Sequence, residues 1–173
     1  MASNDLRTPA ERRAFVTRNH TCVVSYPRKV AAPSMSIVHY AMDGERIVFL
    51  TMTERQKARA VRRGLPVSIC VLDGGKGALS WPPEYLVVDG RTTIVEDLDY
   101  IVARAMQVGE VMLGHPVPAD AEPAVRDMMV RENRVAIVME PESTFHSASV
   151  HPDADQGAEE MVHGLGARLA WRE

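Results

Sequence analysis

The residues of this chain best suited to chemistry are Arg55 and Lys57, set two apart just after the apolar run Phe49-Leu50-Thr51-Met52. A guanidinium and an ammonium placed where a strand gives way to a helix suit a phosphate group. Free backbone N–H groups and the positive end of the helix dipole favour an anion there, and the two side chains add charged donors. Of the 20 basic residues only Lys29, Lys57 and Lys76 are lysines, so Lys57 is not drawn from a lysine-rich surface. Two readings stand at this point. One is a phosphate clamp; the other is a solvated basic face, although that placement opposes the dipole.

Other constellations are missing from the sequence. The six histidines, His20, His39, His115, His146, His151 and His163, form no HxH or HExxH pattern, and there is no CxxC, so a dedicated metal site has no support. No GxSxG elbow or Walker loop occurs, and the one glycine cluster has no helix behind it, which removes a dinucleotide fingerprint. Cys22 and Cys70 lie inside apolar runs and read as small buried thiols. Glu159-Glu160 reads as a solvated face. Chemistry in such a chain must be borrowed from a cofactor.

The elements that would hold the clamp follow from pattern. A chain of 173 residues, 46% hydrophobic and 25% charged, fits one domain, here 1–146, with a C-terminal tail over 147–173. Thr8-Pro9-Ala10-Glu11 starts a helix with a capping box. Strands are expected over 20–26, 33–40, 46–52, 67–73, 85–95 and 134–140, with a hairpin turn at Asp43-Gly44 and a bulge at Asp89-Gly90. Thr53 and Gln56 would form a second capping box opening the clamp helix, which Gly64 and Pro66 stop. Helical stripes cover 97–113, read as structural, and 125–131, with Asn133 as a stop. Six strands with few helices predict a mainly β, α+β fold, a small antiparallel barrel with peripheral helices. Trp81, in the Gly/Pro-rich loop 74–83, is a lid, an interface anchor or a cover over a core edge. Met161, Leu165, Leu169 and Trp171 would dock the tail on the body or on a partner subunit, unless the tail is disordered.

Charge and composition exclude several classes. A net charge of −3 and an aromatic content of 5% argue against a nucleic-acid partner. No apolar run approaches the roughly 18 residues that a membrane span needs, and the polar N-terminus lacks a signal peptide, so a cytoplasmic location is expected.

The ordered series Pro33-x-Met35-Ser36, Asp43-Gly44, Ile47-Val48-Phe49-Leu50-Thr51 and Arg55-x-Lys57-x-x-x-Val61-Arg62-Arg63-x-x-x-Val67 resembles the flavin and deazaflavin split barrels. These are relatives of pyridoxamine 5'-phosphate oxidase, and the resemblance runs from about Ala14 to Phe145, nearest to the actinobacterial branch that binds coenzyme F420. It implies a six-stranded split barrel and a homodimer with cofactor between subunits. It implies further that Arg55 and Lys57 hold the cofactor phosphate with help from Thr51 and the Gln56 backbone, and that Ser34, Met35, Ser36 and Leu50 line the ring on adjacent strands. Trp81 and Tyr85 would close the far side. The implied activity is F420-dependent hydride transfer to a small organic substrate, with no catalytic side chain named. An FMN-dependent oxidase or reductase and a non-enzymatic cofactor carrier are the alternatives. Arg28 and Lys29 fit either an acidic cofactor tail or a solvated turn. The pyridoxamine phosphate reaction itself is disfavoured, because Arg168, Trp171 and Arg172 do not reproduce the family's C-terminal substrate pattern.

Overall fold

The computed structural model describes residues 8–73, 85–146 and 168–172. The first helix, α1 (Pro9–Arg18), begins as the sequence predicts. The Thr8 hydroxyl accepts the Glu11 N–H at 3.2 Å, and the Glu11 carboxylate accepts the Thr8 N–H at 2.8 Å.

The six expected strands form as β1 (Thr21–Tyr26), β2 (Ser34–His39), β4 (Arg46–Met52), β5 (Val67–Leu72), β6 (Tyr85–Val95) and β7 (Arg134–Phe145). Two further short strands correct the count of six to eight among the described residues: β3 (Ala41–Asp43) and β8 (Leu169–Ala170). The first is the outgoing arm of the Asp43-Gly44 hairpin, which the apolar run before it conceals. β2 and β3 are one extended stretch broken only at Tyr40. The second is two residues long and has no pattern of its own.

All eight strands join one antiparallel sheet in the order β2-β1-β5-β6-β7-β4-β3, with β8 added to β7. The sheet curls into a half-barrel of the split-barrel kind. Its interior holds Phe15, Val24, Ile47, Phe49, Ile69, Leu86, Ile137 and Trp171, all fully buried. Gly90 is required by close approach: a Cβ there would lie 2.2 Å from the Glu140 carbonyl oxygen. The register slips at this point, from Asp89 opposite Ser143 to Gly90 opposite Pro141, so Glu142 is the extra residue. The freed Glu142 carbonyl accepts the Trp171 N–H at 3.0 Å. β7 thereby continues five residues past the predicted end, and residues 168–172 lie docked on the barrel.

The outer face of β4 and β7 is covered by α3 (Leu98–Leu113) and α4 (Glu122–Arg131). Asp97 caps α3 by accepting the Tyr100 N–H at 2.7 Å, and Gly114 ends it at a φ of 71°. α4 begins three residues earlier than predicted, after a single 3-10 turn at Ala119–Ala121. No helix of the described residues is long and apolar enough to cross a membrane.

Candidate functional site

Tyr40 is the corner from which the site opens. Fully buried, it donates its hydroxyl to the Val16 carbonyl at 2.7 Å and its N–H to the His20 carbonyl at 2.9 Å. Before this corner β2 pairs with β1; after it β3 pairs with β4. β2 and β4 are therefore not adjacent strands, as the sequence reading supposed, but diverge from the corner and leave a cleft between them.

The short helix α2 (Gln56–Arg62) stands at the open end of this cleft. The expected Thr53/Gln56 capping box is absent. Arg55 occupies the N-cap with no side-chain cap bond. The Thr53 hydroxyl is instead taken by the Arg62 guanidinium, which also donates to the Thr53 carbonyl at 2.8 Å and to Glu96 at 2.7 Å. The Thr53 N–H donates to the Asn133 carbonyl at 2.9 Å and the Arg55 N–H to the Met52 carbonyl at 3.1 Å. The turn that presents the cations is thus fixed at both ends.

Cleft and helices enclose a cavity of about 810 Å³. Six of the predicted residues line it: Ser36, Leu50, Thr51, Arg55, Gln56 and Lys57. Ser34, Met35 and Tyr85 do not; Met35 is 70% exposed on β2, and Tyr85 opens β6 opposite Leu72. Trp81 lies outside the described residues. The exposed Arg28 guanidinium donates to the Ala32 carbonyl at 2.7 Å within its own turn.

Sequence reasoning missed Arg134. Its register partner is Met52, which brings it to the cavity mouth with Arg55 and Lys57. Arg134 is held by Glu132 at 2.6 and 2.8 Å, whereas Arg55 and Lys57 form no ion pair with any described residue. Lys57 is half-buried and its Nζ donates to the Ser36 hydroxyl at 3.4 Å, bridging the cleft. Burial pushes its ammonium below the ordinary lysine range, and Arg55 and Arg134 push the same way, against the opposing influence of Tyr26. An anion at this mouth would relieve that repulsion.

The opposite wall is chemically different. The stripe on α3 read as purely structural divides in two. Ile101 and Val102 are buried against the sheet, while Ala105, Val108, Met112 and Leu113 line the cavity. Val125, Met128 and Met129 of α4 and Val117 complete that wall. Gly109 lets the chain fold close here, since a Cβ on it would meet Val117 Cγ2 at 3.1 Å. The helix is anchored at its other end by Asp43, whose carboxylate accepts the Tyr100 hydroxyl at 2.9 Å and pairs with Arg104 at 3.3 Å and with Arg46.

The two thiols take no part. Cys22 faces the barrel interior, where burial and the neighbouring Cys70 push its thiol up to about 12; Cys70 lies half-buried on the other face.

Comparison with known proteins agrees with the fold. The chain resembles a conserved hypothetical protein of Mycobacterium tuberculosis at 24% identity and a TM-score of 0.69, over 83% of this chain and 86% of that one. It is also similar to a solved F420 reductase, at 24% identity and a TM-score of 0.55, over 76% and 94% of the two chains. A pyridoxamine 5'-phosphate oxidase-like protein of Listeria innocua aligns at 18% identity and a TM-score of 0.54, over 79% and 94%. At these identities the likenesses speak for the fold. No curated protein matches. The family model for pyridoxamine 5'-phosphate oxidase matches residues 8–147, which span β1 to β7, Arg55 and Lys57, and both covering helices, and the chain belongs to that family.

Proposed function

We propose that the chain is an F420-dependent oxidoreductase acting on a small organic substrate, with Arg55 and Lys57 holding the cofactor phosphate. The observation that carries this reading is a pair of cations with no acidic partner among the described residues, at the mouth of a cavity of about 810 Å³. The donor set fits the group. Guanidinium and ammonium suit phosphate, Ser36 and Thr51 offer hydroxyls, and Leu50 offers a flat apolar strand surface to a planar ring. The dipole of a seven-residue helix adds little, so the side chains carry the clamp. With its phosphate on Arg55 and Lys57, a bound reduced F420 would be the hydride source for an electrophilic double bond, and solvent would supply the proton. The protein orients the partners and excludes water.

F420 is preferred to FMN because the Arg55-x-Lys57 segment is nearest to that branch in sequence, and a solved F420 reductase shares the fold. An FMN-dependent reaction is the second reading, supported by a fold shared with an FAD-binding protein of Mesorhizobium loti at 18% identity and a TM-score of 0.56. We propose a homodimer as well, since β2 is a sheet edge carrying Met35 and Ile37 at 70% and 74% exposure.

Parallel fluorescence titrations with F420 and FMN at matched ionic strength test the cofactor. Tighter F420 binding is expected, and Arg55→Ala with Lys57→Ala should weaken it, each charge-assisted bond being worth about 1.5–3 kcal/mol. Unchanged affinity in the double variant would sink the clamp, and tighter FMN binding would move the chain to flavin chemistry. Light scattering tests the dimer, and a monomer at all concentrations would refute it.

A further inference from the structure

Polar and apolar groups are segregated within the cavity. Arg55, Lys57, Arg134, Ser36, Thr51, Gln56 and His39 all come from the β2, β4, α2 and β7 side. Every lining residue contributed by α3, α4 and the connection between them is apolar, four of them methionines: Met106, Met112, Met128 and Met129.

We propose that this methionine-rich lobe is the substrate subsite, and that its substrate is an uncharged, apolar organic molecule of ring-system size. The proposal rests on the cofactor reading above and adds the class of substrate. A carboxylate or phosphate placed against this wall would lose its hydration and find no donor in exchange. An apolar ring loses only unfavourable hydration. The lobe is one side of a single cavity of about 810 Å³ whose polar side the cofactor reading takes, and a recess lined mainly by apolar side chains suits a small molecule. At the rim Met112 and Leu113 remain 63% and 58% exposed, apolar area continuous with the lobe. Methionine is unbranched, with a polarizable sulfur, and adjusts to differently shaped partners. The subsite therefore accepts a range of apolar shapes instead of selecting one.

The test uses the full chain and the neutral dye N-phenyl-1-naphthylamine, whose emission rises and shifts to the blue in apolar surroundings. The dye should bind in the presence of saturating F420. Met112→Glu, at an exposed position where folding tolerates the change, should weaken it at least tenfold, while Met112→Leu should not. Arg55→Ala with Lys57→Ala should leave dye affinity unchanged while weakening cofactor binding. Absence of dye binding, or equal binding by Met112→Glu, would overturn the subsite. Displacement of the dye by F420 or FMN would overturn it differently, by giving the lobe to the cofactor ring. Failure of the clamp shows separately, as unchanged cofactor affinity in the Arg55/Lys57 variant.

Discussion

The two faces of β4 meet opposite fates. Ile47 and Phe49 point into the barrel, where α1 and Trp171 complete the packing. Val48 packs on the other face with Ile101, Val102 and Met129, and beyond Leu50 that packing gives way to open space. The inner cluster is closed by residues brought from both ends of the described chain. Trp171 is fully buried, the Arg12 guanidinium donates to the Ala170 carbonyl, and Arg13 donates to the Trp171 carbonyl at 3.4 Å. The outer cluster is closed only where α3 meets the sheet. Packing closes one face, while the other keeps the cavity that the proposed function assigns to binding.

Breaking the inner face should have the largest effect. Trp171→Ala is expected to cost about 3–5 kcal/mol and lower the melting temperature accordingly. Trp171→Phe should cost much less, because the indole N–H it removes has no partner. Equal losses in the two variants would show that shape, and not volume, closes the barrel.

Changes at the mouth should spare the fold. The Arg55/Lys57 double alanine variant should lose cofactor affinity by at least tenfold while melting within a few degrees of the parent. A large fall in melting temperature would mean that the cations are structural.

Asp43 sharpens the comparison, since it ties the outer helix to the sheet. Burial would raise its carboxyl, but the Tyr100 hydroxyl, Arg46 and Arg104 outweigh that and hold it below the ordinary range. A depressed folded pKa contributes stability that is present above the unfolded value near 3.8 and is lost as pH falls through the folded pKa. Asp43→Asn should cost about 1 kcal/mol at neutral pH and flatten the acid limb of the stability curve. Hydrogen exchange should rise in α3 and leave the barrel strands unchanged.

The smallest effect is expected at Lys57. Its lowered pKa withholds stability at neutral pH, and this is recovered as pH rises from the folded value toward 10.5. Lys57→Met should therefore stay within about 0.5 kcal/mol of the parent's stability at pH 7, because solvent screens the half-buried ammonium, and show a flatter alkaline rise.

Much of this arrangement was legible in the sequence where the cause is local. Thr8 and Glu11 sit at capping spacing, and Asp89-Gly90 marks a bulge that Glu140 enforces by proximity. Failures came where partners are distant. Thr53 and Gln56 have the right spacing for a capping box, but Arg62 claims the Thr53 hydroxyl. Arg134 joins the mouth only through its register with Met52, some eighty residues earlier in the chain. The α3 stripe misled because an amphipathic face looks the same whether it covers a core or a cavity. The difference shows only in the structure, where the stripe runs to Met112 and Leu113 while the buried positions, Ile101 and Val102, lie within the first two turns.

The corner at Tyr40 has a mechanical consequence. Ser36, which faces Lys57, and Asp43, which grips Tyr100 and Arg104 of α3, belong to a single extended stretch bent at one residue. One buried tyrosine thus sets the spacing between the polar rim of the cavity and the helix that walls its far side, so a substitution that displaced Tyr40 would change both walls at once.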